Sequence, residues 1–124
     1  MQDTEFISLV QERAQLDSAG EAESVVHGVL RMLARHLSAG EAEDLAGQLP
    51  RLFHSDLAKS KQEAEGFSLT VFLQRLAEWE GVDQNDAEQH ARAVLSVLQE
   101  AVTPGQLKHV LAQLPKEFEQ LLAE

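Results

Sequence analysis

Apolar residues recur along this chain at helical spacing, in blocks separated by capping residues, so it reads as a succession of helices. A first block, from about Thr4 to Ala14, places Phe6, Leu9, Val10 and Arg13 on one face. The strongest periodicity follows, with Ala22, Val25, Val26, Val29, Leu30, Leu33 and Leu37 as predicted core positions of a long helix. Ser38 then opens a predicted capping box with Glu41. The helix it starts ends at Gln48-Leu49-Pro50, because proline disfavours helical geometry in the residue before it and has no N–H to extend the ladder. A short helix is predicted to begin on that proline, burying Leu49, Phe53 and Leu57.

The same series then recurs. Residues 22 to 58 lie over residues 87 to 123 without a gap. Earlier, Phe6 matches Phe72 and Val10 matches Leu76 in a helix that begins after Ser68 and carries Val71, Arg75 and Trp79. The following turns hold Asp17 and Asp83, both predicted to cap backbone N–H groups, and the second turn is one residue shorter, so the offset drops from 66 to 65. Ala87, Ala91, Val94, Leu95, Leu98 and Val102 echo the long helix; Thr103 with Pro104 echoes the cap at Ser38. The second corner, Gln113-Leu114-Pro115, is followed by Phe118 and Leu122 in the places of Phe53 and Leu57. Self-similarity at a fixed offset means one supersecondary unit built twice. The predicted fold is all-α: a duplicated antiparallel helical bundle of two pseudo-symmetric repeats, each of three to four helices. Residues 1–58 and 67–124 form the repeats of a single domain, joined by the polar linker 59–66.

Phenylalanine in the first helix, an Asp-bearing turn, HARAVLSVLQEAV (90 to 102) and LAQLP (111 to 115), with the weaker first version VLRMLARHLSAGEAEDLAGQLP, together carry a resemblance. The pattern resembles the bacterial domain-of-unknown-function 2267 family over nearly the whole chain, and the doubled Gln-Leu-Pro after a Ser/Thr-capped helix is its most specific element. The resemblance implies a duplicated all-helical domain, bacterial and cytoplasmic, with no activity or catalytic residue to carry over.

Composition narrows the function classes. The 124 residues suffice for one core, and the absence of cysteine excludes disulfides, thiolate metal sites and a cysteine nucleophile, in keeping with a reducing, cytoplasmic setting. No stretch approaches the apolar length of a membrane span, so a soluble protein is expected. The net charge of −11 is spread over both halves, ten acids against six bases up to Gln62 and eleven against four beyond it. Such a field repels phosphate backbones and anionic lipids, so neither nucleic acid nor membrane is an expected partner.

Candidate chemistry is sparse. The five histidines (27, 36, 54, 90 and 109) lack the Glu-x-x-His spacing of a bundle metal site; Glu23 with His27 and Asp86 with His90 fit ordinary side-chain pairs four residues apart, so no metal or other cofactor is expected. DQNDAE (83 to 88) lacks the glycine and distal glutamate of a calcium loop. His54, Ser55 and Asp56 are sequence neighbours that project in different directions, which suits a solvated helix end better than a catalytic triad. No catalytic residue is assigned, and the chain is expected not to be an enzyme.

Departures from the repeat offer the candidate interaction residues. Ser24, His27, Gly28, Arg31 and Arg35 form a basic stripe on the outer face of the first long helix, a site for an anion or acidic partner extended by Arg51, Lys59 and Lys61, or else a set of ion pairs with neighbouring helices. Arg13 stands where the second repeat has Trp79, and Arg35 where it has Glu100. Trp79 is either a binding hot spot or, as its spacing from Phe72, Arg75 and Leu76 favours, a buried packing residue. Mid-helix Gly28, costing about 1 kcal/mol relative to alanine, points to a seam where another helix approaches closely. The expected function is a non-enzymatic helical protein-protein interaction module, with protein partners or self-association; the alternative is a small-molecule binding domain with its ligand in the cleft between repeats.

Overall fold

The computed structural model describes residues 1–58 and 64–122, which form helices and no strand. Helix α1 (Asp3–Ala14), α2 (Ala19–His36) and α3 (Ala39–Gly47) have 12, 18 and 9 residues; α5 (Leu69–Glu80), α6 (Gln84–Ala101) and α7 (Pro104–Ala112) repeat those lengths in order. A 3-10 turn, Arg51–Phe53, leads into the short α4 (His54–Leu57), and a 3-10 helix, Lys116–Leu121, closes the described chain. No helix among the described residues is long and apolar enough to cross a membrane.

Caps explain where the helices start. Ser18, Ser38, Ser68, Asp83 and Thr103 each accept a hydrogen bond from the backbone N–H three residues on, satisfying donors that the first helical turn leaves open. Asp17 is not the cap expected of it. Ser18 does that work and aligns with Asp83, so the extra residue of the first turn lies before the cap. The capping box at Ser38 forms only in part. Its hydroxyl receives the Glu41 N–H, but Glu41 turns to the Gln106 side chain, and the Ser38 N–H donates to Gln113 Oε1 at 2.8 Å. Thr103 N–H likewise donates to Gln48 Oε1 at 2.8 Å. The glutamine of each Gln-Leu-Pro corner therefore caps the other half of the chain.

Neither proline is helical: Pro50 (ψ 145°) and Pro115 (ψ 141°) are extended, and the helical turns begin one residue later than expected. Phe53 and Leu57, four apart and spanning the passage into α4, are both buried. In the closing segment the buried partner of Phe118 is Leu121, not the expected Leu122, because a 3-10 helix stacks side chains every three residues.

Packing runs between the halves as well as within them. Helix α1 lies against α2 and α6, α5 lies against α6 and α2, and α2 touches α6 across the middle; α3 meets α7. The predicted core positions of both long helices are buried. Two phenylalanine pairs sit in matching places, Phe6 on Phe53 with centroids 5.2 Å apart and Phe72 on Phe118 at 5.1 Å. Each fully buried ring contributes about 2–3 kcal/mol through removal of apolar surface from water. His36, also buried, edges the second pair and lies tilted against Phe67.

Candidate functional site

The seam expected at Gly28 exists, and the side chain that fills it is Trp79. Helix α5 packs on α2 so that the indole lies over the glycine backbone; a Cβ there would come within 2.6 Å of Trp79 Cδ1. The indole N–H donates to the Ser24 carbonyl at 3.0 Å. Contrary to the expectation of burial, Trp79 remains 43% exposed, because α5 ends one residue later and no element covers the outer edge of the ring. Arg31 lies over that ring, its guanidinium carbon 5.2 Å from the centroid.

The stripe on α2 is less open than an outer face. Arg31 Nε donates to Asp56 Oδ1 at 2.7 Å, and His27 Nδ1 meets Asp56 Oδ2 at 2.5 Å. His27 Nε2 faces Glu23 at 3.1 Å, so both ring nitrogens look at carboxylates, an arrangement that only the doubly protonated ring satisfies. Burial opposes that charge, but the hydrogen bonds to Asp56 and Glu23 and their negative field outweigh it, holding the imidazole pKa above its ordinary range. Asp56, expected on a solvated helix end, is instead enclosed by α4 folding onto α2. His54 donates to the Leu49 carbonyl at 2.9 Å, so the His54-Ser55-Asp56 run does not converge.

Beyond Asp56 the surface turns cationic. Arg35 and Arg75 share the carboxylate of Glu65 at 4.0 and 3.9 Å, a distance at which exposed ion pairs contribute little. Arg75 also lies over Phe67, 4.5 Å from its centroid. Gly28, Arg31, Met32, Arg35, Arg75 and Trp79 line a hollow of about 290 Å³. Among the described residues, three guanidiniums face two carboxylates here, a local excess of positive charge on a chain of net −11.

Arg13 does not join this surface. It projects from α1 over α6, donating to Ser96 Oγ at 3.1 Å and pairing with Glu100, whose carboxyl it holds below the usual range. A groove of about 880 Å³ opens beside it, bounded by Gln89, Arg92 and Leu122. The mismatched positions of the repeat thus meet one another. Trp79 of the second half packs on Gly28 and Arg31 of the first; Arg13 of the first half and Ala93 and Ser96 of the second occupy the matching places. Of the sequence candidates, Arg31, Arg35 and Trp79 come together, while Lys59 and Lys61 lie outside the described residues. Arg75 and Asp56 were not foreseen. Arg75 is one helical turn before Trp79, a signal present in the spacing; nothing local marks Asp56, which reaches α2 through the chain reversal at Pro50.

Among the described residues no group of three histidine, aspartate or glutamate side chains is placed to hold a metal ion. A family model described as uncharacterized conserved protein (DUF2267) matches residues 3–121. No curated protein matches the chain.

Proposed function

The chain belongs to the DUF2267 family of uncharacterized conserved proteins, and from that premise we propose that it is a non-enzymatic helical interaction module whose docking surface is Trp79 with Arg31, Arg35 and Arg75. The partner is a short acidic segment of another protein carrying one apolar side chain. A single observation carries this reading: a half-exposed tryptophan is held in one position by the Gly28 seat and the Ser24 carbonyl. An aromatic ring ordered before binding loses little entropy on association, and tryptophan and arginine are the residues that most often dominate interface energetics.

Charge supports the choice of partner. An acidic segment is repelled by most of a surface of net −11 and attracted where three arginines outnumber their carboxylates, which fixes where it docks. A long polyanion such as a nucleic acid duplex would also lie against the acidic remainder, so a short segment fits better. The cysteine-free composition and the family resemblance support a bacterial cytoplasmic setting.

Selection of displayed peptides on the immobilised chain tests the proposal. Acidic peptides with an apolar residue are expected to emerge, to bind more weakly as salt rises, and to lose roughly tenfold or more in affinity on Trp79→Ala or on Arg35→Glu. Peptides without charge bias, or bound equally well by both variants, would overturn it. Sedimentation of the purified chain separates self-association from binding of a different protein.

A further inference from the structure

Part of the docking surface is already occupied, by the chain itself. Glu65, from the segment that leads into α5, sets one carboxylate oxygen, Oε2, between the guanidiniums of Arg35 and Arg75 at 4.0 and 3.9 Å. Among the described residues it is the only carboxylate within ion-pair reach of either arginine. Contacts on both sides fix where its backbone stands. The Glu65 N–H donates to the Arg35 carbonyl at 2.7 Å, one of the carbonyls that the last turn of α2 leaves open. Two residues on, the half-buried Phe67 lies against the buried His36 ring, centroids 4.0 Å apart, and under the Arg75 guanidinium.

The backbone is held, but the carboxylate is not. Neither contact to an arginine is short enough for a hydrogen bond, and the three side chains are 43–57% exposed, so the ion pairs are weak and solvated. Rotation within the Glu65 side chain carries the carboxylate into water and leaves the N–H bond and the Phe67 seat intact. Exposed side chains change rotamer in far less time than proteins take to associate, so this step does not slow an arriving partner.

Glu65 with Phe67 is itself an acidic residue beside an apolar one, the chemistry assigned above to the docking partner. We propose that Glu65 is an intramolecular competitor for that partner, occupying Arg35 and Arg75 in the free protein and giving way to the partner's carboxylates. The inference rests on the docking reading and adds to it how the surface is regulated. A weak contact suffices for this, because a group tethered beside its site acts at a high effective concentration. With Glu65 turned out, Arg31, Arg35 and Arg75 face only Asp56 among the described carboxylates. A partner with one carboxylate then replaces what Glu65 supplied, whereas a partner with several meets more positive charge than Glu65 neutralised.

The probe is the capped peptide acetyl-Glu-Glu-Leu-Glu-Glu-amide, which has no aromatic residue. Trp79 is the sole tryptophan and the chain has no tyrosine, so its emission reports binding at the hollow it lines. Glu65→Gln keeps the shape of a half-exposed side chain and is expected to bind the peptide about threefold more tightly than the unsubstituted chain at low salt, a gain that shrinks as salt rises. Glu43→Gln, an equal change of net charge at an exposed position on α3, is expected to leave affinity unchanged. Equal binding by Glu65→Gln and the unsubstituted chain, or an equal gain from Glu43→Gln, would overturn the competitor and leave the docking surface standing. Binding by none of the three chains would overturn both.

Discussion

Gly28 and Trp79 hold each other in place. Replacing Gly28 with alanine would favour the helix by about 1 kcal/mol in propensity, but the new methyl would collide with the indole at 2.6 Å, and overpacking typically costs about 1–3 kcal/mol. Gly28→Ala is therefore expected to lower stability by about 1 kcal/mol and to shift the tryptophan emission to the red as the ring leaves the Ser24 carbonyl, both measurable in one urea titration followed by fluorescence. His27 gives a pH-dependent counterpart. Because its folded pKa is raised, its stabilisation is complete below the ordinary imidazole value of about 6.5 and is lost as pH rises through the folded value. His27→Gln should cost about 2 kcal/mol at pH 6 and progressively less toward pH 9; a cost that is constant or grows with pH would show that the ring is not charged in the fold. The close approach at Gly28 was legible in the sequence, since a mid-helix glycine needs a reason. The exposure of Trp79 was not, because spacing tells which face a residue occupies and not where the neighbouring helix stops.

Helix ends carry the next level of information. Helix α1 closes on Gln15 in the left-handed region (φ 55°), and α5 closes on Gly81 in the same region (φ 71°), where glycine has no Cβ to clash. Gln15→Gly is expected to raise stability by about 0.5–1 kcal/mol, and Gly81→Gln to lower it by about 1 kcal/mol, as read from urea midpoints. The paired corners offer a second test. Gln48→Ala and Gln113→Ala each remove the acceptor for an N–H at the start of α7 or α3, and each should cost about 1 kcal/mol. The doubled Gln-Leu-Pro was visible as a pattern and its proline could be interpreted from the backbone alone. Its glutamine could not, because the N–H it satisfies is more than fifty residues away. Leu121 was missed for a local reason: the hydrophobic spacing after Pro115 suits both an α and a 3-10 turn, and only the realised turn decides whether residue 121 or 122 faces inward.

For the molecule as a whole, the all-helical class and the core of both long helices followed from periodicity, whereas the pairing of helices did not, since periodicity marks an apolar face without naming its partner. The pairing found here, α1 on α6 and α5 on α2, leaves each half with a first helix whose main partners include the other half. Fragments cut within the segment between α4 and α5 should each show little helix by circular dichroism and should recover it on mixing; a first-half fragment with full helicity and a cooperative transition would contradict that. The contact of Arg13 with Ser96 spans 83 positions of the chain. Such pairing slows the search for the native state, since distant segments must be brought together before their contacts reward them. Synthesis runs in the N- to C-terminal direction, so α1 leaves the ribosome well before α6 and must wait for it before its apolar face is covered on both sides. Throughout that interval Phe6 and Val10 lack part of their final cover, and the nascent first half depends on α2 and the turn that carries Phe53, or on a chaperone, to keep it from aggregating.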